Sequence, residues 1–218
     1  MRDGALDVYH CENYAVRCVT SPAQVAEYAA FLREHYEPLG FFREQVLPQA
    51  TSALFAIHFR GDLAAIFRLT EVTEDASPYF DLVPGARLHD GWCRRLLEVN
   101  NVVIARPYRA SIVLGLILYH SACEAHARGF DFVVGMNRMP ILRYFVDFGV
   151  VPVEHAPLHL LGDERLADFV NYYDTRDPAS IAYMHERAKR WFHQELVMRS
   201  IRDKCARGAS SAACPSPA

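Results

Sequence analysis

The stretch that most constrains this chain runs from Leu96 to Gly129 and reads LLEVNNVVIA, then RPYRAS, then IVLGLILYHSACEAHARG. Leu96 to Ala105 is mostly apolar, with β-branched residues at Val99, Val102, Val103 and Ile104, the composition of a buried strand. One acid, Glu98, interrupts the run. A carboxylate in such a place either faces solvent or is kept for a purpose, because burying it without partners is costly. The following segment places Val113, Leu116, Ile117, Tyr119 and Cys123 among polar His120, Glu124 and Arg128, which predicts a long amphipathic helix stopped at Gly129. The turn between them carries Arg106 and Arg109. Cations at a helix start oppose the helix dipole, so a bound anion at that loop is the better account of them.

The rest of the chain reads around this unit. Tyr14 to Val19 alternates as a first strand. Ser21-Pro22-Ala23-Gln24 is a helix start, with Ser21 as cap, Pro22 in the first position and Gln24 completing a capping box. That helix ends near Tyr36, before Pro38-Leu39-Gly40. Phe41 to Val46 reads as a short aromatic helical piece. Ser52 to Phe59 and Leu63 to Thr70 are strands joined by a hairpin turn at Arg60-Gly61-Asp62. Residues 71–93 form a long connection, of the kind that is functional or covered by another element. Phe132 to Gly135 is a further strand, Met139 to Phe148 a short helix, and Val150 to Leu161 a last strand or strand pair. Asp163 to Tyr173 and Pro178 to about Lys204 read as C-terminal helices, with Asp177 capping the second. Residues 206–218 read as a disordered tail. The organisation expected is one domain over 1–162, a helical extension over 163–205 packed on it through Met184, Trp191 and Leu196, and the tail.

Composition excludes several classes. A net charge of -3 gives no reason to expect nucleic acid. No apolar run reaches membrane-spanning length, and the first residues do not read as a signal peptide. The 6 cysteines are scattered without a CxxC pair, which fits reduced thiols and a cytoplasmic location. His155 and His159 share a strand face with no third ligand nearby, so no metal site is expected.

The order β-α-β-β-β-α-β-α-β is an α/β mixture that alternates only in its second half, neither doubly wound nor a barrel. It resembles the GNAT acyltransferase superfamily in three places. Tyr108-Arg109 before the long helix, with Ala125 and Gly129 near its end, looks like that family's acyl-carrier loop. Asn137, Tyr144 and Phe148-Gly149-Val150 resemble its second motif. Glu98 sits where many of these enzymes place a general base. A narrower likeness, carried by Phe67-Arg68-Leu69, Thr73 and Pro78-Tyr79-Phe80-Asp81-Leu82-Val83-Pro84, is to LuxI-type autoinducer synthases and N-acyl amino acid synthases.

The resemblance implies an α+β fold: a mixed, mainly antiparallel central sheet flanked by helices. It implies an acyl donor, either acyl carrier protein or acyl-coenzyme A, with no tightly bound cofactor, and an amine or amino acid acceptor. Donor binding falls to Val102, Val103, Arg106, Arg109, Ala110, Ser111, Ile112 and Asn137. Acceptor binding falls to Arg68, Asn101 and Tyr79, and chemistry to Glu98, Tyr144 and Arg68. Two departures stand out. The loop Arg109-Ala110-Ser111-Ile112-Val113-Leu114 has no glycine before Gly115, which restricts backbone approach to a pyrophosphate and leaves room for the single phosphodiester of a carrier protein. Asn101 stands where the synthases carry an arginine. Arg94, Arg95, Arg106, Arg109, Arg138 and Arg143 form a candidate basic rim for an acidic carrier protein, and Phe41, Phe42, Tyr79 and Phe80 candidate walls for an acyl tunnel.

In this scheme Glu98 takes a proton from the amine. A strand amide near Val102 or Val103 polarises the thioester carbonyl, and Tyr144 protonates the leaving thiolate. Arg68 offers a planar fork to an acceptor carboxylate.

Overall fold

The structure is a computed structural model, and it describes residues 14–39, 51–73, 77–88, 91–109, 112–159 and 167–211. The segment Phe41 to Val46 lies outside them.

Strand β1 (Tyr14–Cys18) pairs with β2 (Ser52–Phe59), and β2 pairs with β3 (Asp62–Glu71), all antiparallel. The β2–β3 turn holds Arg60 and Gly61 at φ 52° and 96°, the two left-handed residues a tight hairpin needs. Helix α1 (Pro22–Tyr36) starts on the expected capping box: Ser21 Oγ accepts from the Gln24 amide at 3.3 Å, and Gln24 Oε1 accepts from the Ser21 amide at 3.0 Å. Strand β4 (Leu96–Ile104) adds antiparallel to β3, and β5 (Phe132–Asn137) adds parallel to β4. The crossover is α3 (Val113–Ala127), which ends with Gly129 at φ 70°. Among the described residues the sheet has 7 strands in the order β1-β2-β3-β4-β5-β7-β6. Within them only the β4–β5 pairing is parallel, so the sheet is mixed and mainly antiparallel, as expected.

Side chains of a strand alternate between faces, and this separates two layers. On one face α1 packs Tyr28 and Leu32 against Leu54, Ile66 and Val103. On the same face α2 (Pro78–Leu82) packs Tyr79 and Phe80 against Leu96, Phe132, Val134 and Val170. On the other face α3, α4 (Met139–Val146) and α5 (Pro178–Ser211) close the main core over Phe67, Leu97 and Val133.

The long connection over 71–93 is covered in part, since α2 within it buries two aromatics. Those aromatics, Tyr79 and Phe80, sit in packed core. Two expectations need correction. Where a helix is expected from Asp163 to Tyr173, β7 (Phe169–Asp174) inserts between β5 and β6 (Val151–Pro152). Val170 faces the α2 cluster and Tyr173 the main core. A segment buried on both sides, carrying Phe, Val and two Tyr, satisfies its backbone best as an inner strand. The strand expected from Val150 to Leu161 shrinks to β6 plus an isolated bridge, Leu158 to Asp168, consistent with Pro152 lacking a ladder donor.

Helix α5 begins as expected, Asp177 Oδ1 accepting from the Ala179 amide at 2.9 Å. It continues through 206–211, which were expected to be disordered, to Ser211. Met184 is fully buried, Trp191 packs on the main core, and the side chain of Leu196 lies outside the description. Asp147 at the end of α4 ties this helix down, accepting from Trp191 Nε1 at 2.9 Å and from Arg187.

Candidate active site

Strand β4 is where the sheet changes character. Its register with β3 slips: Arg68 faces Asn100, but Ile66 faces Val103. Asn101 and Val102 therefore sit opposite Phe67 alone, a β-bulge. Asn101 takes φ 50° there, a left-handed conformation that asparagine tolerates better than most residues. On its other edge β4 pairs with β5 only through Leu96, Leu97 and Glu98. From Val99 onward β4 has no β5 partner among the described residues, so the strands part at Glu98.

Glu98 points to the α1/α2 face, next to Leu96 of the α2 cluster. Its carboxylate is held at both oxygens. The Tyr79 hydroxyl donates to Oε1 at 2.8 Å and Asn100 Nδ2 donates to Oε2 at 2.9 Å. The Asn100 amide is itself oriented, because Arg68 Nε donates to its Oδ1 at 2.7 Å. An arginine can only donate, so the amide nitrogen must turn toward Glu98. Thr70 Oγ1 lies 3.4 Å from the same nitrogen. Burial, followed by the neighbouring Glu98 charge, raises the Tyr79 phenol well above its ordinary value, so it remains a proton-bearing donor at neutral pH.

Three of the expected residues thus come together: Arg68, Glu98 and Tyr79. Sequence reasoning missed Asn100, the residue that joins them. The family resemblance pointed to Asn101, which instead sits in the bulge with φ 50°. The signal for Asn100 was its place two residues from Glu98, which on an unbroken strand puts both side chains on one face.

The other expected residues are placed differently. Tyr144 is 39% exposed on α4; its hydroxyl accepts from Arg143 at 2.8 Å and its ring meets Trp191 of α5 edge-on. Trp191 packs on the face opposite Glu98, so Tyr144 is not brought to the carboxylate. Val103 points into the α1 layer and Val102 packs on the main core, one on each side of β4. Ile112 is buried in the main core just before α3. Arg106 to Tyr108 form a short 3-10 turn, and Arg109 Nε donates back to the Ile104 carbonyl at 3.2 Å. Ala110 and Ser111 lie outside the described residues. Asn137 ends β5 opposite Phe169. Gly115 has no space for a side chain, since a Cβ there would meet the Phe148 ring at 2.7 Å; its role is close packing.

Much of the expected basic rim is committed within the protein. Arg94 pairs with Asp131 at 3.2 Å, Arg95 donates to the Arg128 carbonyl at 2.8 Å, and Arg138 lies 4.0 Å from Asp168.

No family model matches the chain, and no curated protein matches it. Solved structures do. One is FeeM, an N-acyl amino acid synthase from uncultured soil microbes, at 12% identity and a TM-score of 0.58, covering 75% of this chain and 92% of that one. The fold is that of the GNAT acyltransferases. A CoA-dependent acyl-homoserine lactone synthase, BjaI, with SAM and isopentyl-CoA, matches at 13% identity and a TM-score of 0.55, covering 81% and 89%. Arabidopsis thaliana NAA60 in complex with acetyl-CoA matches at 12% identity and a TM-score of 0.58, covering 75% and 99%. Among the described residues of this GNAT-fold chain, no helix is long and apolar enough to cross a membrane.

Proposed function

We propose that the protein is an N-acyltransferase that moves an acyl group from a thioester to the amino group of an amino acid or related amine. The observation that carries this is the carboxylate of Glu98, fixed by Tyr79 and Asn100 where β4 leaves β5. Aminolysis of a thioester needs a neutral amine, a polarised carbonyl and a departing thiolate. In this reading Glu98 takes the amine's proton as the new C–N bond forms. A backbone amide of β4 near Val102 or Val103 steadies the oxyanion. The C–S bond then breaks, and the proton held by Glu98 returns to the sulfur. Arg68 receives the anionic group of the acceptor, and Tyr79 and Asn100 aim the base. Tyr144, on the far face, has no part in this scheme.

The donor we propose is acyl carrier protein bearing a long acyl chain, supported by the likeness of fold to the N-acyl amino acid synthase and by the loop without glycines. Arg106 and Arg109 remain the candidate contacts for its phosphodiester. The second reading is an acyl- or acetyl-coenzyme A donor, favoured by the two similar structures whose descriptions name such donors.

The test is Glu98→Gln. The substitution keeps the shape and one acceptor oxygen for Asn100, while the Tyr79 hydroxyl can rotate to accept. Loss of the base should lower turnover on the order of 100-fold to 10,000-fold, with donor binding retained. Turnover within a few-fold of the wild type would refute Glu98 as base, while donor binding without turnover in either protein would point to a non-catalytic acyl-binding module.

A further inference from the structure

Tyr28 of α1 carries a polar group with no place in the scheme above. Its side chain is 2% exposed, yet its hydroxyl has no hydrogen-bond partner among the described residues. A buried phenol hydroxyl normally finds one, because leaving it unpaired forfeits the bonds it made to water. Tyr28 packs with Ile66 and Val103 on the face of the sheet that also bears Arg68 of β3 and Asn100 of β4. Its phenol feels the charge of Arg68 and neighbours Tyr36. Arg68 spends Nε on Asn100, and its two amino nitrogens have no hydrogen-bond partner among the described residues. Across Asn100 this face therefore carries a cation with an unspent fork and an orphan hydroxyl at one end and the Glu98 carboxylate at the other.

Asn100 measures the distance between these ends. Its carboxamide receives Arg68 on oxygen at 2.7 Å and offers nitrogen to Glu98 at 2.9 Å. A group with an anion at one end and an amine at the other, one bond longer than this amide, would match its polarity if laid alongside it. An α-amino acid is such a group, with O–C–C–N where the amide has O–C–N.

Resting on the transferase reading above, we infer that Tyr28 is a specificity-determining residue, whose hydroxyl joins Arg68 in binding the carboxylate of an α-amino acid while the amine faces Glu98. The hydroxyl is orphaned because its partner arrives with the acceptor. The carboxylate then receives three donors, two from the guanidinium and one from the phenol. An amine without a carboxylate leaves all three donors unmatched, which is how a site built for a polar group rejects an analogue lacking it.

The experiment is steady-state kinetics of wild type and Tyr28→Phe with the twenty proteinogenic amino acids and with the decarboxylated amine of each one that is acylated. Phenylalanine removes only the hydroxyl. We expect KM for the amino acid to rise roughly tenfold to a hundredfold, the range for one hydrogen bond to a charged group, with kcat retained. The preference for amino acid over amine should fall by the same factor. In the ligand-free protein, removing an unsatisfied buried hydroxyl should raise Tm by about 2–4 °C. A merely structural hydroxyl would give the opposite pattern, a lower Tm and both acceptors impaired alike. An unchanged KM, or equal use of amino acids and amines by the wild type, overturns the inference while leaving the transferase reading intact. Acylation of no amine at all defeats the transferase reading instead. Calorimetric titration of the same amino acids then decides the subsite by itself: weaker binding to Tyr28→Phe supports it, and no binding to the wild type overturns it.

Discussion

Replacing Asn100 by Ala and by Asp separates two consequences of one side chain. Asn100→Ala removes the Nδ2 donor from Glu98 and the Oδ1 acceptor from Arg68. Each is a hydrogen bond to a charged group, a type that contributes about 1.5–3 kcal/mol. If the donor to Glu98 alone counts toward orienting the base, kcat/KM falls by roughly 10-fold to 150-fold. Asn100→Asp is closer in shape and still accepts from Arg68. Toward Glu98, however, it presents a second carboxylate where the nitrogen stands at 2.9 Å. Two like charges about 4 Å apart repel by about 4 kcal/mol at the effective dielectric of a protein surface. Arg68 offsets part of this, and the pair relieves the rest by sharing a proton. A shared proton disables a base. The isosteric variant should thus be the worse one near neutral pH, and it should recover as pH rises and the pair loses its proton. The assay is thiol release from the acyl donor across pH 6–9, with Tm measured for each variant. Asn100→Asp outperforming Asn100→Ala, or a loss in both that does not change with pH, would refute the argument that Asn100 acts through Glu98.

Other expectations follow from the packing. His120 on α3 lies against Phe55 and Phe67, with ring centroids at 4.7 and 5.9 Å, and burial lowers it to about 4; Glu124, 4.0 Å away, does not offset that burial. Between pH 6.5 and about 4 the unfolded chain takes up this proton and the native chain does not, so stability falls as pH falls through that window, by up to about 3 kcal/mol. Urea unfolding at pH 7.5 and 4.5 should show the wild type losing more than His120→Leu; equal losses would contradict this. Gly115→Ala should destabilise by about 1–3 kcal/mol despite alanine's better helix propensity, because the new Cβ meets the Phe148 ring at 2.7 Å, and Phe148→Leu in the same chain should restore much of the loss in thermal melts. Ending the chain after Gly162 removes β7 and α5, strips Met184 from the core and exposes the β5 edge; we expect no cooperative melt from that fragment.

Local chemistry made much of the fold legible. The capping box at Ser21, the two left-handed residues at Arg60 and Gly61, the Asp177 cap and the Gly129 stop each act within a few residues, and each is realised. The strand β7 was not legible, because charged helix formers precede it and its identity as a strand depends on the two neighbours that bury it. The site was half legible. Glu98 stands out because acids are rare in apolar strands, and Arg68 and Tyr79 came with the family resemblance. Asn100 and Tyr28 did not, for different reasons. Asn100 sits two residues from Glu98 and so shares its face, but nothing local in the sequence announces the cross-strand bond from Arg68 that makes it the link between the two. The orphan hydroxyl of Tyr28 exists only once α1 is laid across β3. Tyr144 illustrates the converse, since its position in a motif gave no information about which face of the sheet α4 covers.

The central claim is acyl transfer to an amine through Glu98, and product analysis tests it most directly. Purified protein would be given long-chain acyl carrier protein or acyl-coenzyme A together with a pool of amino acids. Thiol release would be followed while mass spectrometry identifies the products. The account predicts an N-acyl amino acid formed from the carrier-protein thioester by the wild type, with Glu98→Gln slower by at least 100-fold on the order of base removal. No acylated amine from any donor, or equal yields from wild type and Glu98→Gln, would contradict it.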